Sequence, residues 1–356
     1  AFWRYHDLGY KLSEAIVDPQ MIEDAVINFQ KRYQFDLLLD IGDRNPMRMT
    51  RSLGNFEYGI DDENNTLFLK EQCHFMEEDY DDFIQNPVKT LWEKVLPRKY
   101  TYFRPGMELG TLQNTLGEFL QYDQYIAKIT NRLIEECGVP NIFDLKNGNK
   151  IFPAFECLYN FFRGMQGLSR DLRRIPEKVL AFIEVYHQVF IQPLIDAIQK
   201  VEAPTSAFTE FTIMLSQNMV NAKQFEKFCW PQFKAVADKV VETGGTLFTL
   251  SEGTTAHITD FLQDLPRGHF CFYVETDDIA EARKRLPDLC FWGGLPLSLI
   301  SKGTAQECVD HVKKIITEVG SCGGLLLSTN KFTSHPNDCN SENLLAVSEF
   351  VRSEVY

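Results

Sequence analysis

The stretch Gly244–Phe261, GGTLFTLSEGTTAHITDF, sets a carboxylate and a glycine directly after an apolar run rich in β-branched and aromatic residues. Thr246–Leu250 reads as a buried strand, and Glu252 and Gly253 follow it at once. A carboxylate at such a point can donate or accept a proton or ligate a metal, and the glycine is expected to leave room for a ligand. The same arrangement recurs at other strand ends. Asp40, Asp43, Arg44 and Asn45 follow Phe35–Ile41, and Glu275 and Asp277 end or follow His269–Glu275. Trp292, Gly293 and Gly294 close Leu289–Trp292, and Ser328, Thr329, Asn330 and Lys331 close Gly324–Ser328. Asp277 and Asp278 fit helix capping better than chemistry, because a helical pattern begins right after them.

The elements that must position these residues alternate regularly in the second half. Strand Ala207–Leu215 precedes NAKQFEKFCWPQFKAVADKVVETG, whose Phe225, Phe228, Phe233, Val236 and Val240 recur at helical spacing until Gly244 and Gly245 stop it. Strands Thr246–Leu250, His269–Glu275, Leu289–Trp292 and Gly324–Ser328 then alternate with helices Ile258–Leu265, DDIAEARKRLP, TAQECVDHVKKIITEVG and SENLLAVSEFVRSEV. Short apolar strands between amphipathic helices imply a parallel sheet covered on both faces. In the first half, DPQMIEDAVINFQKRY reads as a helix leading into strand Phe35–Ile41, FEYGIDDENNTLFL as a hairpin, and YDQYIAKITNRLIEEC as a helix ending at Gly138 and Pro140. Ile151–Cys157 is strand-like, and Ser169–Val201 is helical. Seven or eight strand–helix units with no Ser/Gly linker between them predict one domain over residues 1–356, a (β/α)₈ TIM-type barrel with an elaborated N-terminal region. An open doubly wound sheet is the second choice, because DIGDRNP stands where a glycine-rich phosphate loop would be.

Composition narrows the function. The net charge of −14, from 50 acidic and 36 basic residues, argues against nucleic acid as a partner. No apolar stretch approaches the length of a membrane span, and the N-terminal stretch lacks a signal-peptide pattern, so a cytosolic protein is expected. Nine cysteines without a CxxC read as reduced thiols. The 28 phenylalanines suggest an aromatic core, with a lined pocket as the functional alternative.

Several longer motifs carry a family resemblance. CFWGGLPLSLISKGTAQECVDHVKKIITEVGSCGGLLLSTN, with SENLLAV after it, resembles the end of the uroporphyrinogen decarboxylase superfamily. NMVNAKQFEKFCWPQFKAV and FFRGMQGLSRDLRRIPEKVLAFIE are similar to its middle motifs, and EEDYDDFIQNPVKTLWEKVLPRKY extends the likeness toward the N-terminus. The resemblance implies a (β/α)₈ barrel and one of two activities, decarboxylation or cobamide-dependent methyl transfer.

Its decarboxylases carry an arginine-rich N-terminal motif for a polycarboxylate substrate, whereas AFWRYHDLGY holds one arginine, Arg4, among aromatics. The likeness therefore points to the methyltransferases of anaerobes, including those that demethylate methoxylated compounds. Thiol-methylating members hold zinc with His-x-Cys and a second Cys. This chain has Thr249, Leu250 and Ser251 at the first place and Asn330 and Lys331 near the second. Cys290 and Cys322 lie nearby in apolar or glycine-rich surroundings that suit structural thiols.

Demethylating relatives place a carboxylate at the strand end, which here is Glu252. Glu275 and His335 are candidates to join it as zinc ligands. Glu252, Lys331 and Asn330 are the catalytic candidates, as general acid or electrostatic stabilisers of a leaving alkoxide, phenoxide or amine. His6, Tyr10, Asp43, Arg163 and Trp292 are substrate-binding candidates, with an ion-pair role as the alternative for Arg163. The expected reaction moves a methyl group from a small methyl donor to the cobalt of a cobamide carried by a separate corrinoid protein, and the chain is a candidate homodimer. A lyase acting on a smaller substrate and a non-catalytic ligand-binding barrel are the alternatives.

Overall fold

Six parallel strands in consecutive order organise the molecule. The computed structural model describes residues 2–38, 47–71, 73–104, 106–140, 142, 149–203 and 206–353. A hairpin comes first, with β1 (Tyr58–Asp61) antiparallel to β2 (Thr66–Leu69) around the polar tip expected from the sequence. The main sheet follows, comprising β3 (Asn149–Lys150), β4 (Glu210–Met214), β5 (Leu247–Ser251), β6 (Phe270–Val274), β7 (Cys290–Leu295) and β8 (Leu325–Thr329). Its order is β3-β4-β5-β6-β7-β8, every neighbouring pair parallel.

The side chains sort onto two faces with the period of two that a pleated strand imposes. Phe211 and Ile213, Phe248 and Leu250, Cys271 and Tyr273, and Trp292 and Leu326 share one cluster with Phe208 and Phe152. The alternate residues Met214, Leu247, Phe270, Phe272, Phe291 and Leu325 belong to a second cluster, with the helix residues Phe225, Phe233, Val236 and Val240. Burial on both faces explains why β5 and β6 are buried at every position.

Between strands the helices start and stop where local chemistry dictates. Thr304 and Glu307 form a reciprocal capping box on Ala305–Ile315, and Asn221 and Gln224 another on Ala222–Phe228. Asp278 caps Ile279–Arg285 by accepting from the Ala280 and Glu281 amides, as expected. Gly244 ends Trp230–Thr243 in the left-handed conformation, at φ 72°.

One strand expectation fails, and a second is not met over the residues described. Ile151–Cys157 is not a strand, because pairing stops at Lys150 and Ala154–Cys157 is helical, continuing into a wide turn over Leu158–Arg163. Pro153 precedes that helix and lacks the amide hydrogen a ladder needs. Residues 35–38 are not in a strand either, and the rest of Phe35–Ile41, with Asp40, Asp43, Arg44 and Asn45, lies outside the described residues. Among the described residues β3 and β8 are therefore the edges of the main sheet.

Candidate active site

Glu252 continues the alternation of Phe248 and Leu250, as Glu275 continues that of Cys271 and Tyr273, whose side chains share one cluster. The two strand ends are tied together directly. The Gly253 amide donates to the Glu275 carboxylate, while Lys331 Nζ lies 3.3 Å from its other oxygen. Asn330 fastens three strand ends. Its backbone N–H donates to Leu295 O at 2.8 Å, its Oδ1 accepts from the Leu297 amide at 2.8 Å, and its Nδ2 donates to Glu275 O at 2.8 Å. Glu252, Glu275, Asn330 and Lys331 thus gather at one end of the sheet. Asn330 spends its hydrogen bonds on backbone groups, so its observed part is structural.

A second layer holds Glu252 by its backbone. Gln217 Nε2 and Asn218 Nδ2 donate to the Glu252 carbonyl at 2.5 and 2.6 Å. Gly253 is left-handed at φ 75°, and a Cβ there would overlap the Asn218 carboxamide. The room that the glycine leaves is therefore taken by Asn218 rather than by a ligand. Asp277 accepts from the Thr254 hydroxyl at 2.5 Å and from the Thr255 amide and hydroxyl at 2.6 and 2.8 Å, which ties down the loop after Glu252. Its cap is on that neighbouring loop, while Asp278 caps the helix.

Beneath Gln217 lies a carboxyl group that the sequence does not advertise. Glu156 is 4% exposed and accepts from Ser216 Oγ at 2.5 Å, from the Ser216 and Leu215 amides at 3.1 Å, and from Asn160 Nδ2 at 3.1 Å. Burial pushes it up to about 7 despite these donors. Burial also raises the half-buried Tyr159 phenol, and the charges of Glu156, Glu71 and Glu252 add to that rise. Glu156 hides inside the apolar run FPAFECL, and a lone acid in an otherwise apolar stretch is the one signal that marks it.

The remaining candidates divide. Trp292 is 6% exposed and packs 5.2 Å from Phe248 and 6.4 Å from Phe208. With Tyr273 it borders a cavity of ≈ 500 Å³ beside β8, whose lining does not include Glu252, Glu275 or Lys331. Gly293 belongs to β7, where a Cβ would meet Val274 O at 2.8 Å, so it serves strand packing. His6 lies in the helix Trp3–Asp7, which rests on the loop after β8, since Trp3 donates to Thr333 O and Pro336 O. The imidazole bridges Ser334 O at 3.3 Å and Asn65 Nδ2 at 3.1 Å, and burial lowers its pKa. The same Asn65 amide donates to the Tyr10 carbonyl, so His6 and Tyr10 join the N-terminal segment to the hairpin.

Arg163 is not an anion anchor. It is 6% exposed, Nε and Nη2 hold Asp171 at 2.5 and 3.0 Å, and Nη1 donates to Phe75 O and Cys73 Sγ at 3.2 Å. Among the described residues no group of three or more His, Cys, Asp or Glu is arranged to hold a metal ion. His335 is exposed on the His6 side of the loop, and its amide donates to Asp338. Glu252, Glu275 and His335 therefore do not form the zinc site expected of them, because a sequence read without coordinates cannot tell which side of a loop a residue faces.

The architecture is thus an α/β fold with a consecutive parallel sheet and a polar rim at its carboxyl end. The family model for uroporphyrinogen decarboxylase matches residues 159–352, more than half of the chain, and the protein belongs to that family. A methyltransferase from Methanosarcina mazei shares the fold at a TM-score of 0.61, with 11% sequence identity over 99% of this chain and 91% of that one. No curated protein matches the chain. Among the described residues no helix is long and apolar enough to cross a membrane.

Proposed function

We propose that the protein is a cytosolic methyltransferase, a single (β/α)₈ barrel that moves a methyl group from a small methoxylated or methylated substrate to the cobalt of a separate corrinoid protein. The observation that carries this reading is the rim in which Glu252 stands beside the Glu275–Lys331 pair, above an interior packed with Phe208, Phe248 and Trp292. Family membership and the methyltransferase neighbour of the same fold support it. A polycarboxylate substrate would need several exposed cations. The N-terminal segment offers only Arg4, which is 5% exposed with its guanidinium over the Phe29 ring.

Demethylation of an ether leaves an alkoxide or phenoxide, and that of an uncharged amine leaves an amide anion, each of which departs poorly unless protonated or its charge is met. In this reading Glu252 delivers the proton to the leaving atom, and Lys331 opens from Glu275 to stabilise the developing negative charge. Gln217 and Asn218 hold the Glu252 backbone so that its carboxyl group does not drift from the substrate. The described residues do not fit a resident zinc ion, and no step is routed through one. The corrinoid's cobalt supplies the nucleophile as the methyl acceptor, and it must approach over the strand ends.

The test offers methoxylated aromatics and methylated amines together with reduced cobamide under strictly reducing conditions and follows methylcobamide by absorbance. Methylcobamide formation that requires both substrate and protein is the expected result. Turnover without cobamide, accompanied by release of carbon dioxide, would replace this reading with the lyase.

A further inference from the structure

Three cysteines meet at the amino-terminal end of the sheet, opposite the rim. Cys271 is near the start of β6, Cys290 begins β7, and Cys322 stands just before β8. Glu275 lies four residues beyond Cys271, so about 13 Å of strand separates these thiols from the rim. Cys271 and Cys290 are direct partners in the parallel ladder, and both side chains pack in the cluster that holds Phe248 and Trp292. Neighbouring strands stand about 4.8 Å apart, inside the roughly 4.4–6.8 Å between Cα atoms that a disulfide spans. A bond between the two therefore needs no movement of the backbone. Cys271 is 1% exposed, whereas Cys290 is partly exposed, and with Cys322 and Arg283 they line a cavity of ≈ 370 Å³.

Arg283 supplies a cation at this end. Its Nη1 donates to Pro287 O and Leu289 O at 3.1 and 2.6 Å, and its Nη2 to Gly323 O and Gly324 O at 3.3 and 2.6 Å. The guanidinium lies 4.9 Å from the centre of the Phe291 ring, and its buried Nε has no hydrogen-bond partner among the described residues. These partners are neutral, which leaves the positive charge free to favour a thiolate beside it. The Cys271 hydrogen bond and the Arg283 charge together hold the Cys290 thiol below its ordinary range, against its burial. Burial pushes Cys271 well up, so that thiol keeps its proton. Burial likewise raises Cys157, Cys229 and Cys339, as suits structural cysteines. Cys290, expected from its apolar surroundings to be structural too, departs from them.

We propose that Cys290 and Cys271 form a thiol pair oxidised by hydrogen peroxide, with Cys290 the attacking group and Cys271 the resolving one. The Cys290 sulfur attacks one peroxide oxygen and the O–O bond breaks. The leaving hydroxide takes up the proton that Cys290 had released, and Cys290 becomes a sulfenic acid. The Cys271 sulfur then attacks the sulfenic sulfur. An S–S bond forms, the S–O bond breaks, and the hydroxyl departs as water with the Cys271 proton. Two thiols thus lose two electrons to give one disulfide, and the peroxide is reduced to two waters. A small dithiol restores the pair by exchange. The inference does not depend on the chemistry at the strand ends.

The test treats the reduced, intact protein with a slight excess of hydrogen peroxide, blocks the remaining thiols with N-ethylmaleimide and maps the peptides by mass. The expected product is a linked Cys271–Cys290 peptide pair, lighter by two hydrogens and restored by dithiothreitol. It should form about 10-fold or more faster than the exposed Cys322 is oxidised. Cys271→Ser should stop at a sulfenic acid on Cys290, which dimedone traps, and Cys290→Ser should leave Cys271 reduced. Cys290 is partly exposed, so its serine variant reports the order of attack even if Cys271→Ser loosens the buried cluster. A bond from Cys290 to Cys322 instead of Cys271 overturns the inference. So does oxidation of Cys322 ahead of Cys290, or a parent protein in which both Cys271 and Cys290 stay reduced.

Discussion

Two cation–carboxylate pairs, Arg163–Asp171 and Lys331–Glu275, arise from residues whose types suggest chemistry, and burial alone separates their roles. The first has side chains 7 and 0% exposed and is a two-pronged contact in which Asp171 also accepts from Tyr80 at 2.9 Å. The second has side chains 51 and 18% exposed and is a single contact at 3.3 Å. Charges held deep in the fold cannot exchange their partners for a ligand, because each would be left uncompensated. A pair on the rim can open, since water or substrate replaces the lost partner. The lesson is that a motif arginine and a strand-end lysine are told apart by what surrounds them, not by residue type.

The largest expected effect lies at the buried pair. Arg163→Leu leaves the buried Asp171 carboxyl without its cation, with the Tyr80 hydroxyl still donating to it, and should cost about 3–5 kcal/mol of stability. Urea unfolding measures this directly. A loss below about 1 kcal/mol would mean that the site relaxes or admits water, and that the two pairs are alike.

Glu156 sharpens the same comparison with a buried carboxyl that accepts from Leu215, Ser216 and Asn160, none of them a cation. Its pKa is raised from the ordinary 4.5 to about 7, chiefly by burial. Between those values the native state holds a proton that the unfolded chain has released. This contribution to stability is therefore fully present below about pH 4.5 and is lost as pH rises through 7, a swing of roughly 3 kcal/mol. The Glu156→Gln variant should lack that swing, so its stability relative to the parent should improve between pH 5 and pH 8. Parallel pH profiles of the urea midpoint for the two proteins would show that Glu156 titrates normally.

At the rim, Glu252→Gln keeps the backbone carbonyl that Gln217 and Asn218 hold and removes only the acid. Turnover in the methyl-transfer assay should fall by roughly 10²-fold, with the unfolding midpoint nearly unchanged. Normal turnover would leave this strand end with a structural role alone.

Much of this layout is legible from sequence alone, for reasons that can be named. β4 to β8 are short apolar runs bounded by glycines, prolines and acids, and each falls within a few residues of the stretch expected for it. The gathering of Glu252, Glu275, Asn330 and Lys331 follows from parallel strands ending on one side. What fails is what periodicity cannot encode. The run IFPAFEC is apolar enough for a strand or a buried helix, and Pro153 decides for the helix. The helix Leu109–Cys137 begins well before the expected YDQY, because Gly110, Gly117 and a solvent-facing leucine stripe blur the core pattern. Gln217 and Asn218 act through carboxamides on a short turn, Ser216–Met219, that has no apolar rhythm. Asn330 stands where a reactive group is expected, yet its amide is used up by Leu297 and Glu275.

The effect on stability expected at Lys331 is small, and it is the sharpest check of the contrast between the two pairs. Lys331→Met removes the cation from Glu275, but Glu275 still accepts from the Gly253 amide and keeps 18% of its side chain in contact with water. Its charge is therefore not stranded. A half-exposed pair at 3.3 Å in water contributes little, and the loss should stay within about 1 kcal/mol. Turnover should respond differently. If Lys331 leaves Glu275 to meet the negative charge on the departing oxygen, the variant should lose rate with methoxylated substrates. It should lose less with a quaternary ammonium donor, whose leaving amine is neutral. The measurement is paired, with urea unfolding beside methylcobamide formation from the two substrate types. Equal losses with both types would confine Lys331 to holding the rim. A stability loss approaching that of Arg163→Leu would show that the strand-end pair is as much a part of the fold as the buried one.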